Sequence, residues 1–239
     1  MSAYKLLVVV HVLVGAVALV TFWTAAWLRK GTPAHRTTGR VYLLAMLGIV
    51  VTGAPMAIVR VVDGHPVTGA FLGYLVVITA TGVWTSWRAV RDKAAPVRFA
   101  GPVYVALAVS SLLAGAGVLA LGVRVGAPLL MGFSAVGLLT GADMLRRRRR
   151  YVRNEAPPRW WMVEHYTAMI GNGIATHIAF LGIGLPRLLP GVDGSVLHYL
   201  AWFGPLGAAV VAKVLLDRRW KPKTPSAPSV PSPARARVA

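Results

Sequence analysis

Seven long apolar runs constrain this sequence more than any other feature. They cover about residues 4–28, 41–62, 67–87, 101–123, 126–145, 161–185 and 196–217. A helix of about 20 apolar residues spans the hydrocarbon layer of a membrane, which is roughly 30 Å thick. The runs therefore predict an all-α, polytopic membrane protein whose seven transmembrane helices form one domain, residues 1–219.

The composition agrees with a membrane location and excludes several kinds of site. Only 14% of the residues are charged, whereas a soluble domain carries about a quarter. The sequence contains no cysteine, which excludes disulfides, thiolate metal ligands, iron–sulfur clusters and a cysteine nucleophile. It also lacks a phosphate-binding glycine loop, a serine nucleophile motif and an HExxH zinc motif.

The basic residues lie almost entirely on one side of the predicted membrane domain. Of the 26 lysines and arginines, all but Lys5, Arg60, Arg124 and Arg187 follow the first, third, fifth or seventh run. Every tryptophan except Trp202 falls at the same ends of the runs, where indole prefers the headgroup layer. We therefore predict an external N-terminus and a cytoplasmic C-terminus in a bacterial inner (cytoplasmic) membrane.

Two basic segments have a simpler explanation than nucleic-acid binding. A run of five arginines directly follows the fifth apolar run, which predicts a topology anchor that contacts anionic lipid headgroups; its members are Arg146, Arg147, Arg148, Arg149 and Arg150. Residues 220–239 are basic and rich in proline and serine, and this composition predicts a disordered cytoplasmic tail.

Within the sixth run, the stretch Glu164–Leu185 is unusually polar for a membrane span. It carries Glu164, His165, Asn172, Thr176 and His177. Polar groups are costly in hydrocarbon unless partners satisfy them, so a span that keeps this many is expected to line a site. Gly171 and Gly173 flank Asn172, and they either loosen the helix there or admit a close neighbour.

The predicted topology places the histidines in two layers. His11, His177 and His198 belong to an outer layer, while His35 and His165 belong to an inner layer next to Glu164. At 1.5 Å per helical residue, His165 and His177 are about 18 Å apart in depth. We expect the first and sixth spans to be neighbours, with His11 and His177 meeting at one height. Glu164, Asn172 and Thr176 would provide the polar lining.

Three interpretations of these histidines remain open. In the first, the pairs His11–His177 and His35–His165 ligate haem b for electron transfer with a redox partner. In the second, His11, His177 and His198 bind a transition metal ion. In the third, the histidines only form hydrogen bonds between helices, and the protein is a small-molecule transporter or a membrane scaffold. None of the three assigns an enzymatic reaction.

Three segments resemble a bacterial membrane family. They are His11–Gly15 (HVLVG), His35–Tyr42 (HRTTGRVY), and His165 with Met169. This pattern is similar to the uncharacterised multi-pass family called domain of unknown function 2306, over roughly residues 8–60 and 160–185. The resemblance implies a membrane location without an established activity. The histidine-bearing helices are also distantly similar to cytochrome b561-type haem proteins, which would imply haem.

The segment His35–Tyr42 also makes a prediction about local structure. Pro33 can open a helix, which places His35, Arg36 and Arg40 in its first turns. Cations there oppose the helix dipole. We therefore expect Glu164 or Asp143 to approach Arg36 or Arg40.

Overall fold

The structure, a computed structural model, describes residues 3–188, 191 and 194–220. The described part is all-α. Its helices are α1 (Ala3–Trp27), α2 (Pro33–Val62), α3 (Pro66–Arg91), α4 (Pro96–Phe99), α5 (Pro102–Val125), α6 (Pro128–Val152), α7 (Trp160–Ile178), α8 (Leu185–Leu188) and α9 (Ser195–Trp220). A π-helical turn, Ala179–Gly184, joins α7 to α8. The predicted tail beyond Trp220 lies outside the described residues.

Six of these helices are long and apolar enough to cross a membrane, namely α1, α2, α3, α5, α6 and α9. The protein is therefore a multi-pass membrane protein, as the apolar runs predicted. The sixth predicted span, about 161–185, corresponds to α7, the π turn and α8, and α7 is not among the six candidates. Its polar residues, Glu164 and Asn172 among them, lower its hydropathy.

Proline marks where helices begin. The helices α2 to α6 each start at a proline: Pro33, Pro66, Pro96, Pro102 and Pro128. Proline suits this position because it lacks an N–H, which has no partner in a first turn, and its φ is already helical. The prediction for Pro33 is confirmed. In addition, the Thr32 hydroxyl caps α2 by accepting a hydrogen bond from the His35 N–H at 3.3 Å.

Helix α3 lies at the centre of the packing. It contacts α2, α5, α6 and α7, while α5 pairs with α6 and α7 also contacts α9 and α1. By contrast, α1 buries only Ala18 and Ala25 and exposes large apolar side chains such as Leu13 and Val20. A helix that is apolar and so little covered is suited to face lipid.

Two polar side chains join α3 to its neighbours by entering helix backbones. The Tyr74 hydroxyl of α3 donates to the Phe133 carbonyl (2.6 Å) and accepts from the Gly137 N–H (2.8 Å) of α6. These two groups are four residues apart, the spacing that a regular α-helix joins directly. The hydroxyl therefore takes a place in the hydrogen-bond ladder of α6.

Asn172 of α7 enters α3 in the same way. Its amide nitrogen donates to the Thr79 carbonyl and its amide oxygen accepts from the Val83 N–H, each at 3.2 Å. Gly82 makes this approach possible, because a Cβ there would collide with the Asn172 amide. On the other side of α7, Gly173 receives the ring of Phe22. The glycines that flank Asn172 in the sequence thus include one that admits a close neighbour.

We predict that Gly82→Ala destabilises the protein by about 1–3 kcal/mol, because the added methyl group displaces the Asn172 amide from the backbone of α3. Gly73→Ala is the matched control on the same helix. No described atom lies within 4 Å of a Cβ at Gly73, and alanine favours a helix over glycine by roughly 0.5–1 kcal/mol. Thermal unfolding in mild detergent measures both changes. Equal stability of the two variants would contradict the proposed hydrogen bonding of the Asn172 amide to the backbone of α3.

Candidate functional site

Two of the three outer histidines, His11 and His177, form hydrogen bonds between helices. His11 Nδ1 lies 2.7 Å from the Thr52 hydroxyl of α2, and that hydroxyl donates to the Gly48 carbonyl at 2.7 Å. His11 therefore acts as the donor. His177 donates from Nδ1 to the Gly173 carbonyl (2.7 Å) and accepts at Nε2 from the Trp23 indole N–H (2.9 Å). Both ring nitrogens of His177 are occupied.

The structure confirms that α1 and α7 are neighbours but does not bring His11 and His177 together. His177 contacts α1 at Phe22 and Trp23. Trp23 is twelve residues, or about 18 Å of helix axis, beyond His11. The expectation that the two rings meet at one height is therefore wrong, and so is a site formed jointly by this pair. The cause is the position of α7, which places His177 near the C-terminal end of α1, at Phe22 and Trp23, instead of near His11.

The predicted metal site is not assembled either. Within the part of the chain that the structure describes, no three histidine, aspartate or glutamate side chains are grouped to hold a metal ion. His198, the third predicted ligand, is exposed on α9 and packs against Tyr199 and Trp202. A transition metal bound by His11, His177 and His198 is thus contradicted.

The inner histidines have a different arrangement. His35 directs Nδ1 to the Ala25 carbonyl of α1, and His165 directs Nδ1 to the Ser86 carbonyl of α3, each at 3.1 Å. A carbonyl only accepts, so both Nδ1 atoms carry the proton and both Nε2 atoms keep a lone pair. His165 also lies within electrostatic range of His35. The two rings are half-buried at the same end of the bundle.

A buried ion pair links α6 and α7. Glu164, of which only 1% is exposed, accepts from the Tyr151 hydroxyl at Oε1 (2.6 Å) and faces the Arg147 guanidinium at Oε2 (3.1 Å). Arg147 also pairs with Asp143, which in turn pairs with Arg146. Both oxygens of each carboxylate are therefore engaged, and the charges of the cluster are balanced.

This pairing bears on the prediction for the start of α2. Glu164 and Asp143 bind Arg147 and Arg146, whereas Arg36 and Arg40 are exposed. The predicted approach of a carboxylate to the start of α2 is therefore wrong.

Arg147 was also predicted to contact lipid headgroups, but it turns inward and exposes 20% of its side chain, against 77% for Arg146. Consecutive residues on a helix point about 100° apart, so five arginines in a row cannot all face outward. Arg147 is the one on the face of the buried Met144 and Tyr151. Arg148 also reaches the protein, donating to the Ala100 carbonyl at 3.2 Å, while Arg149 and Arg150 remain exposed.

A cavity of about 90 Å³ lies between α3, α6 and α7, with the ion pair at one end. We call it the threonine cavity. Besides Arg147 and Glu164, its lining includes five threonines: Thr79, Thr81, Thr85, Thr140 and Thr167. Gly171 lines it as well. The volume corresponds to about three water molecules at roughly 30 Å³ each.

Three residues that line this cavity each carry a buried polar atom with no hydrogen-bond partner among the described residues. These atoms are the hydroxyl oxygens of Thr85 and Thr167 and the Nε of Arg147. An unpaired buried polar group costs about 1–3 kcal/mol, and more when it is charged. The described residues therefore leave hydrogen-bonding capacity unused in the walls of the cavity.

The sequence identified part of this site. Glu164 was predicted to line a site between the first and sixth runs, and it lines this different cavity instead. Asn172 holds α7 against α3 beside it. Thr176 does not line it: its hydroxyl donates to the Asn172 carbonyl at 2.9 Å and lies 3.3 Å from Met46 Sδ of α2. Sequence reasoning missed Thr85 and Thr167, since a membrane threonine usually bonds its own helix backbone. Only their unpaired state distinguishes them.

Comparisons of this chain with protein-family models, with curated proteins and with solved structures find no match.

We predict that Glu164→Leu destabilises the protein by about 3–5 kcal/mol, because it leaves the guanidinium of Arg147 in a buried site with one carboxylate fewer. Adding Arg147→Met to this variant should restore most of the loss, since an apolar pair of similar volume often replaces a buried ion pair well. Glu155→Leu, at an exposed carboxylate between α6 and α7, is the control and should change stability little. Unfolding in detergent measures all three, and a double variant no better than Glu164→Leu would refute the pairing.

Proposed function

We propose that this protein binds a small polar solute inside the membrane, as a transporter does, and that the threonine cavity is the binding site. The observation that carries the proposal is a cavity between three helices that is lined by five threonines and by the Glu164–Arg147 ion pair. Polar groups in a membrane domain that face a cavity mark solute or ion pathways. Under this proposal the outer histidines are structural, because His11 and His177 are engaged in bonds between helices.

Solute binding requires that the cavity be reachable by water, and the absence of cysteine in the sequence makes this testable. We predict that Thr140→Cys, in the lining of the cavity, reacts with the small neutral reagent methyl methanethiosulfonate. The reason is that a thiol must ionise to react, which requires water. Ser134→Cys, on the same helix but buried outside the cavity (1% exposed), is the matched control and should stay unmodified. Mass spectrometry of the membrane-embedded protein measures the modification of both variants. Absence of modification of Thr140→Cys would contradict the proposal.

We also propose that the protein crosses a bacterial inner membrane seven times, with its N-terminus outside. The sixth span would be α7, the π turn and α8. Its polar residues Glu164 and Asn172 face α6 and α3 instead of lipid. The position of the basic residues supports this topology. The exposed arginines Arg146, Arg149 and Arg150 would then contact anionic lipid headgroups. Membership of the family domain of unknown function 2306 stays a prediction.

Single cysteines in exposed loops test this topology. We predict that a membrane-impermeant maleimide added to intact spheroplasts labels Asp63→Cys, between α2 and α3. Lys93→Cys, between α3 and α4, should be labelled only after the membrane is permeabilised. Both positions are exposed, so access to the reagent depends only on the side of the membrane. Labelling of Lys93→Cys in intact spheroplasts would contradict the proposed topology, because it would place the connection between α3 and α4 outside.

A second candidate function rests on the inner histidines. Metal-binding histidines usually donate their other ring N–H to a carbonyl or carboxylate, which orients the ring, and both His35 and His165 do so. We propose that, if the protein binds haem b or a metal ion, this pair holds it. Such a group would supply one-electron chemistry with a redox partner.

A visible spectrum and metal analysis of the protein purified in mild detergent test this second candidate. A haem held by two imidazoles gives a Soret band, which we expect to disappear in His35→Ala and in His165→Ala but to persist in His11→Ala. Absence of both a Soret band and stoichiometric metal in the wild-type protein would rule the candidate out.

A further inference from the structure

We infer that the solute of the threonine cavity enters sideways from the lipid, and that it is an uncharged amphiphile with a hydroxyl or carbonyl group on an apolar body. This ligand class rests on the proposed function, because it belongs to the same site. Three features of the cavity support it: the side on which it opens, the depth of the opening, and the chemistry of its lining.

The cavity has a floor and two walls. Helix α3, which lies at the centre of the packing, forms the floor with residues such as Thr79, Gly82 and Thr85. Helices α6 and α7 form the walls. Along the described chain these two helices do not pack closely on each other. The side of the cavity opposite the floor therefore lies at the periphery of the bundle, in the gap between α6 and α7.

Side chains bridge the gap only toward its ends. At one end the Glu164–Arg147 pair joins α7 to α6. Toward the other end, Phe133 of α6 and Ile178 of α7 belong to one buried apolar cluster. Between these contacts the walls carry small or half-buried residues, among them Thr140 of α6.

Gly171, in the α7 wall, marks the opening. It is exposed although it lines the cavity, and no described atom lies within 4 Å of a Cβ built there. Leu139, next to Thr140 on α6, exposes 70% of its surface. A side chain that is large, apolar and this exposed on a membrane helix is suited to face lipid.

The opening lies at half the depth of the membrane. Gly171 is eleven residues beyond Trp160, or about 16 Å of helix axis. In the proposed topology Trp160 lies in the cytoplasmic headgroup layer, and the hydrocarbon layer is roughly 30 Å thick. An opening at this depth meets lipid tails. Because a charged group is costly there, a molecule that uses this route is uncharged and dissolved in the bilayer.

The lining suits the two parts of such a molecule. The five threonines offer uncharged hydroxyl groups, which can donate to or accept from a hydroxyl or carbonyl group of the ligand. A polar group in lipid is costly until it finds such a partner, so the threonines favour its entry. Apolar lining residues, Ile78, Val136, Ala168 and Ala175, can contact the apolar body.

Two thiol reagents test the route. In membranes opened to reagent on both sides, neutral methyl methanethiosulfonate should modify Thr140→Cys. The charged 2-(trimethylammonium)ethyl methanethiosulfonate should not, because it does not cross lipid at half depth. Asp63→Cys and Lys93→Cys, at exposed positions in loops, should react with both reagents and so show that the charged reagent is active.

Three additives of equal chain length test the ligand class. At equal amounts in the membrane, 1-decanol should slow the modification of Thr140→Cys by methyl methanethiosulfonate by about fivefold, the value of one hydrogen bond. Decane lacks the polar group and decyltrimethylammonium is charged, so neither should protect. None of the three should change the modification of Asp63→Cys, which controls for effects on the reagent.

A substitution at the opening tests its position. Gly171→Leu should slow the modification of Thr140→Cys by methyl methanethiosulfonate by about tenfold, because the added side chain fills the gap through which the reagent enters. Gly73→Leu is the matched control and should leave the rate unchanged. Neither should lower the melting temperature, since no described atom lies within 4 Å of a Cβ at either glycine. An unchanged rate in Gly171→Leu would contradict entry at this opening.

The outcomes separate this ligand class from the proposed function. Modification of Thr140→Cys by the charged reagent would show an aqueous route and overturn entry from the lipid. Protection by decane or decyltrimethylammonium, or no protection by 1-decanol, would overturn the uncharged amphiphile while the cavity stays accessible. Failure of Thr140→Cys to react with methyl methanethiosulfonate overturns the proposed function itself.

Discussion

The packing of this protein depends on polar side chains of one helix that enter the backbone of the next. Within lipid, helices gain little from burying apolar surface against one another, because the lipid tails are as apolar as their side chains. Tyr74 takes a place in the ladder of α6, and Asn172 takes a place in that of α3. Both need a glycine opposite them, Gly137 and Gly82. These contacts fix α3, α6 and α7 relative to one another.

The same three helices enclose the threonine cavity, so the contacts of Tyr74 and Asn172 that fix these helices also shape the cavity. Tyr74 holds α3 to α6 beyond one end of the cavity, and the Glu164–Arg147 pair joins α6 to α7 at the other. Three lining residues, Thr85, Thr167 and Arg147, carry buried polar atoms without a partner in the described part, as do Tyr42, Tyr104 and Trp202 outside the cavity. Unpaired atoms therefore do not by themselves distinguish the cavity. What distinguishes it is that threonines and an ion pair surround it within a membrane domain.

The sequence and the structure indicate different roles for Arg147. In the sequence it is the second of five arginines, a pattern that indicates a lipid-facing anchor. In the structure it is bound by Asp143 and Glu164, and it lines the cavity. Removing a charged group from water is costly unless partners satisfy it, and the two carboxylates provide that compensation. The neighbouring Arg146 is exposed, and for it the predicted contact with lipid headgroups stays a prediction.

The sequence by itself determined the all-α membrane fold, the approximate extent of each helix and the polar character of α7, because apolar length, proline position and polarity act locally along a chain. It also indicated that the first and sixth runs are neighbours. Only the tertiary structure decided at which height α7 meets α1, which places His177 beside Trp23 and away from His11. Likewise, only the packing of three helices decides which threonine hydroxyls have a partner. In the described part, those of Thr85 and Thr167 have none, whereas that of Thr176 has two acceptors within reach. Pairing depends on how distant helices are set against each other, and a single sequence does not record that.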